Sequence, residues 1–220
     1  MLNRLLRKVR GEEKGITGLE TAIILIAFVV VAAVFAYTVL SAGLFSTQKS
    51  QEAVYSGLKE ARSTMELRGA VIATAGTEGG SGSTIKQISF TVGSVLGGEP
   101  IDFTAPTANT TSNNGEANPG SDNKIVISYI DQDQKVNDLY WTVTKLGDDD
   151  GDDLLEQNEK FEITIGNSDN GTGGGNLLDA LDTDLTVNKT FTVEVKTPVG
   201  AVLNIERTTP AYFDTIMNLH

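Results

Sequence analysis

The run Thr21–Gln48, TAIILIAFVVVAAVFAYTVLSAGLFSTQ, contains no charged residue. At about 1.5 Å per residue, a helix of that length exceeds the roughly 30 Å hydrocarbon thickness of a bilayer, so it is long enough to span one. The residues before it, MLNRLLRKVRGEEKG, hold Arg4, Arg7, Lys8, Arg10 and Lys14 against Glu12 and Glu13. A basic flank ahead of an apolar run places the N-terminus on the cytoplasmic side and everything after Gln48 outside. An ordinary secretory signal has a shorter apolar stretch followed by a small-residue cleavage site. Here the small cluster Ser41, Ala42, Gly43 lies inside the run. A signal-anchor helix of a single-pass membrane protein is the plainer reading.

Past Gln48 the pattern turns amphipathic: Ala53, Val54, Leu58, Ala61 and Met65 recur among Lys49, Glu52, Lys59, Glu60, Arg62 and Glu66. No proline interrupts Ile16 to Thr74. The spacing predicts one helix over 16–75, on the order of 80 to 90 Å long. A single globular domain has little use for such a helix, half of it apolar all round, whereas a bundle of many buries all of it. Ala32, Ala33, Ala36, Ser41, Ala42 and Gly43 suit close helix packing. Gly43 and the β-branched Val29–Val31 lower intrinsic helix propensity, so lipid or partner helices must supply stability.

The Gly/Ser-rich stretch 76–84 reads as a flexible linker. Beyond it the texture is that of strands: Ile85–Val95, Ile101–Thr104, Lys124–Ile130, Leu139–Leu146, Lys160–Ile165, Leu185–Lys196 and Ala201–Ile205. Period-two alternation (Phe161, Ile163, Ile165; Phe191, Val193, Val195) and Gly/Asn/Asp/Pro clusters support them. The fold class is therefore α+β, a long N-terminal helix followed by an antiparallel β-sandwich over 85–220. Trp141 is expected in its core.

Seventeen basic against 29 acidic residues give a net charge of −12, and the body without its basic head is more acidic still. Such a surface repels phosphate backbones and disfavours nucleic acid as a partner. The absence of cysteine excludes disulfides and thiol chemistry, and the single histidine is the terminal His220. No GxSxG, phosphate loop, HExxH or His-paired nucleophile occurs, so no enzyme is read here.

The junction Lys14-Gly15-Ile16-Thr17-Gly18-Leu19-Glu20 resembles the class III signal peptides of type IV pilins and archaeal flagellins. The segment Lys196–Pro210, KTPVGAVLNIERTTP, and the Glu159–Ile163 strand are similar to archaeal flagellins specifically. The resemblance implies that a prepilin-type peptidase cuts after Gly15, making Ile16 the mature N-terminus and residues 1–15 the signal peptide. It implies an assembly role for Glu20, whose carboxylate is also well placed near a positive helix start. It further implies that the sandwich is Ig-like. The subunit is then inserted in the membrane as a precursor, handled by an archaellum motor and export complex, and polymerised with itself or other flagellins into an extracellular swimming filament. A type IV pilin-like adhesin and a membrane-anchored extracellular binding module are the alternatives.

The loop Asp148–Glu159, DDDGDDLLEQNE, follows the spacing D-x-D-x-D-x6-E of EF-hand loops. Asp148, Asp150, Asp152 and Glu159 stand at the carboxylate positions, and Leu154 at the backbone-carbonyl position of a Ca²⁺ site. Asp153 stands where that motif needs glycine, and the flanks read as strands, so the site is expected in a hairpin loop. A solvated acidic turn is the plainer reading. Some archaeal flagellins with similar loops bind metal, which the resemblance carries over. Three sequons, at Asn109, Asn170 and Asn188, are candidate glycosylation sites of an exported domain, with Asn188 expected within a strand.

Overall fold

A computed structural model describes residues 2–95, 98–109, 115–147, 149–166 and 175–219, with side chains from Gly18 onward. It divides into two compact units, Met1–Tyr55 and Ser56–His220. Helix α1 (Leu2–Arg62, 61 residues) supplies all of the first and ends in the second.

The helix stops thirteen residues earlier than its spacing predicts. Met65–Thr77 is strand β1, not helix. Its apolar residues alternate: Val71, Ala73 and Ala75 are buried while Ile72 and Thr74 are half-buried, which is the period of a sheet face. The apparent three- and four-residue spacing ending at Met65 is a coincidence of the junction. Gly69, in the left-handed region at φ +103°, opens a bulge between Leu67 and Val71, a conformation no helix interior offers.

β2 (Thr84–Ser94) pairs back on β1. The Gly/Ser stretch is therefore a hairpin tip, not a linker between domains, and the sandwich begins at Met65 and not at residue 85. The tip is tied down: Gly79 and Phe213 exchange backbone hydrogen bonds at 3.1 and 2.9 Å, and Thr215 Oγ1 donates to Glu78 Oε1 at 2.7 Å.

The remaining strands are β3 (Ile101–Asp102), β4 (Val126–Ile130), β5 (Lys135–Val136), β6 (Trp141–Leu146), β7 (Leu154–Leu155), β8 (Lys160–Ile165), β9 (Thr190–Lys196), β10 (Leu203–Thr208) and β11 (Ile216–Leu219). One short helix, α2 (Leu177–Ala180), is closed by a reciprocal Asn176–Asp179 cap. A five-stranded sheet runs β11-β1-β2-β8-β6 and a four-stranded sheet β10-β9-β4-β5, with β3-β7 a separate ribbon; every pairing is antiparallel.

The core comes from alternate residues of the two main sheets: Ile88, Phe90, Val92, Trp141, Phe161, Ile163 and Ile165 on one, Ile127, Tyr129, Phe191, Val193, Val195 and Ile205 on the other. Phe103 packs edge-on to Trp141 and Phe161, with ring centres 6.1 and 5.6 Å away. Each such side chain contributes about 1.5–3 kcal/mol on burial. Trp141 is core, as its sequence context predicts.

Candidate functional site

Two features lie outside what the core needs. The first is the apolar half of α1. Its most apolar window has a mean hydropathy of 2.9, and none of that window is buried. Phe28, Val31, Phe35, Tyr37 and Val54 are each about two-thirds or more exposed (71, 68, 69, 73 and 68%). Buried apolar groups are what hold a chain together, so a helix bare on every side has its partner elsewhere.

Three threonines of this run are satisfied within the helix. Thr21, Thr38 and Thr47 donate their hydroxyls back to the carbonyls of Gly18, Phe35 and Gly43 at 3.0, 2.8 and 2.9 Å. These bonds offer no donor to the surroundings, in keeping with an apolar environment. Gly15 and Ile16 lie within α1, and Glu20 is exposed on its surface.

The second feature is the acidic loop. β6 and β8 pair from Trp141↔Ile165 to Leu146↔Lys160, so the loop is carried on a hairpin, as expected. Asp149, Asp150 and Glu159 bring one carboxylate oxygen each within 4.8 Å of the others. Glu159 is buried and accepts from the Glu156 amide at 2.9 Å. A buried Asp149 oxygen, Oδ1, has no hydrogen-bond partner among the described residues.

This differs from the spacing prediction. Asp150 converges as expected and so does Glu159. Asp152 instead accepts from the Leu154 amide at 2.8 Å, and Leu154 pairs with Asp102 between β7 and β3. Asp149 takes the third position, which no residue spacing singled out. Asp148 lies outside the described residues. The sharp turn that the EF-hand pattern assigns to Asp153 is made at Gly151 (φ +101°), and Asn158 (φ +74°) makes a second. Asp153 pairs with Lys145 at 3.0 Å, and that contact holds the half-buried Lys145 ammonium above its ordinary pKa.

The sequons divide. Asn109 sits half-buried beside the Ala108–Ala117 bridge, and its amide donates to the Glu116 carbonyl. Asn170 lies outside the described residues. Asn188 is in a turn and not in a strand, since β9 begins only at Thr190; it is exposed, with φ +55°.

A second polar network joins the two sides of the four-stranded sheet's end. Tyr129 Oη donates to Asp131 at 2.8 Å, and Asp131 also accepts from the Asp133 and Gln134 amides at 2.7 and 2.8 Å. Burial acts to raise the Asp131 pKa, but these bonds outweigh it and hold the carboxyl below the usual range. Burial, with the neighbouring carboxylate, pushes the Tyr129 phenol up.

Comparison with known proteins gives this arrangement a setting. The family description "Archaeal-type flagellin" matches residues 15–207. "Probable flagellin 2" of Archaeoglobus fulgidus is 37% identical over 224 residues, 96% of each chain. The archaeal flagellum of Methanospirillum hungatei strain JF1 superposes with a TM-score of 0.59 at 26% identity, covering 92% of this chain and 98% of that one. The crystal structure of archaeal flagellin FlaB1 from Methanocaldococcus jannaschii shares the fold at 13% identity, with a TM-score of 0.50 over 70% of this chain and 95% of that one. Long apolar helix, antiparallel sandwich and sequence agree from Gly15 to Arg207: the chain belongs to the archaeal-type flagellin family.

Proposed function

We propose that this chain is a structural subunit of the archaeal flagellum filament, an extracellular polymer held together through α1. The observation that carries this is the apolar helix with none of its most apolar window buried. Packing such helices side by side removes that surface from water, and the sandwich is left to face solvent. Shear-released surface filaments should contain this chain, and cells lacking it should stop swimming. Loss of attachment with swimming intact would favour the pilin-like adhesin.

Several finer steps belong to the same reading. A prepilin-type peptidase cuts between Gly15 and Ile16 while α1 sits in the membrane, and Glu20 neutralises the new amino terminus of a neighbour during assembly. The archaellum motor and export complex receives the processed subunit, which polymerises with itself or with other flagellins. Asn109, Asn170 and Asn188 are the sequons that glycans would take, and the exposed turn at Asn188 favours that site.

Calcium fits the acidic loop. Hard carboxylate oxygens converge there, and the buried, unpartnered Asp149 oxygen is the kind of acceptor a cation satisfies. Asp149, Asp150 and Glu159 would hold the ion, with Asp148 beside them in sequence. The ion would neutralise their mutual repulsion and fix the β6–β8 hairpin end.

A further inference from the structure

The passage from α1 to the sandwich has the sequence Arg62-Ser63-Thr64-Met65, with no proline and no run of glycines. Two residues joining a helix to a sheet ordinarily make a swivel. Here Ser63 is 5% exposed and Met65 3%, so the junction is interior. Three of the last four helical carbonyls, those of Lys59, Glu60 and Arg62, have identified partners. Ser63 caps Lys59 O with both its amide and its hydroxyl at 2.9 Å. Glu99 N donates to Arg62 O at 3.1 Å, and Val95 N donates to Thr64 O at 3.2 Å. Lys59 reaches Glu99 at 3.7 Å. Helix ends are commonly closed by their own following residues, as Ser63 does here; this one is closed in addition by a segment more than 30 residues away, through the Val95 and Glu99 amides.

Two glycines make the approach close enough. A Cβ on Gly98 would stand 2.6 Å from Arg62 O, and one on Gly200 would stand 2.1 Å from Ser63 O. Gly200 also has φ +112°, so any side chain there is strained on two counts. The two belong to different parts of the sandwich, the segment after β2 and the turn between β9 and β10, and they meet the same turn of helix.

We propose that these loops form a socket that locks the end of α1 to the sandwich, making the last helical turn and the outer domain one stiff body. Glu99 and Val95 supply the amides, Lys59–Glu99 the lateral tie, and Gly98 and Gly200 the clearance. In a filament, force on the outer domain then passes into the helix without slack at the junction. That use rests on the proposed function, whereas the socket is a property of the single chain and is tested on it.

The chain has no cysteine, so two introduced cysteines are the only sites a spin label can take. In the full chain in detergent, Glu60→Cys with Asp122→Cys gives a helix-to-sandwich distance from two exposed positions. A single narrow distribution is expected, with the Val95 and Glu99 amides as slow to exchange as those of β2. In Gly200→Ala and in Gly98→Ala the distribution should broaden to about twice its width or more while the Trp141 core signal is kept. A broad distribution or fast-exchanging Val95 and Glu99 amides in the unsubstituted chain overturns the socket, whatever the variants do. A folded Gly200→Ala with an unchanged narrow distribution overturns the role of the glycines.

Discussion

Replacing Asp149 by Asn should remove most of the response of this protein to Ca²⁺, and replacing Asp152 should not. Asp149, Asp150 and Glu159 place carboxylate oxygens within 4.8 Å of one another. At that separation two unit charges repel by about 0.9 kcal/mol in bulk water and about 3.5 kcal/mol at an effective permittivity near 20. Asp150 is exposed and lies toward the lower figure, whereas Glu159 is buried. A cation that relieves this and binds only the folded state stabilises by about 2.7 kcal/mol at a hundredfold excess over its Kd. For a chain of this size that corresponds to a Tm rise of about 5–10 °C. The assay is thermal unfolding of the full chain in detergent, with millimolar-scale Ca²⁺ or chelator at matched ionic strength. Asp149→Asn and Glu159→Gln should each abolish most of the difference, and Asp149→Asn should also raise the metal-free Tm by easing repulsion. Asp152→Asn should keep it, because Asp152 is not among the carboxylates that converge. Equal melting in Ca²⁺ and chelator would refute a metal site. Loss of the response in Asp152→Asn with retention in Asp149→Asn would restore the EF-hand spacing against the observed geometry.

Other outcomes follow from the same structure. Ala33→Asp should abolish filaments and leave the sandwich folded, because an unpaired carboxylate between packed apolar helices costs several kcal/mol; normal filaments seen by electron microscopy would place α1 elsewhere. The subunit in purified filaments should begin at Ile16, and N-terminal peptides retaining Met1 would contradict this. The Asp131 carboxyl has a lowered pKa in the folded chain, so it stabilises above its unfolded value of about 3.9 and that contribution is lost as pH falls through the folded-state pKa. Asp131→Asn should therefore flatten the acid limb of stability against pH below about 4, and an unchanged acid limb would remove Asp131 from the account. Glycopeptide mapping of filaments should find Asn188 or Asn109 modified, and bare asparagine at all three sequons would count against modification.

The sequence made the long helix legible because a charge-free run and a one-sided basic flank are strong, local signals. The strand Lys160–Ile165 was legible for a similar reason, since alternation on a half-buried face appears directly in residue order; of the strand expected over Leu185–Lys196, only Thr190–Lys196 forms. β1 was not. Its alternating residues are small (Ala73, Ala75) and follow a helix without a proline, so the helical pattern reads straight through them. Only the pairing with β2 and β11, which sequence order does not display, decides it. A fragment beginning after the Gly/Ser run would lack the strand on which both depend. The acidic loop was legible as chemistry and not as geometry. Spacing names which carboxylates can converge, but the positive-φ turns at Gly151 and Asn158 decide which do, and they bring Asp149 inward.

Thr21, Thr38 and Thr47 of α1 bond to carbonyls of their own helix. Each of these hydroxyls thus carries its acceptor along and needs no partner from whatever surrounds the helix. Passing from lipid to a bundle of protein helices would require no hydrogen bond to be exchanged at these positions. At these three positions shape and dispersion decide the transfer, so contacts between neighbouring helices there can be made and broken one at a time without stranding a donor.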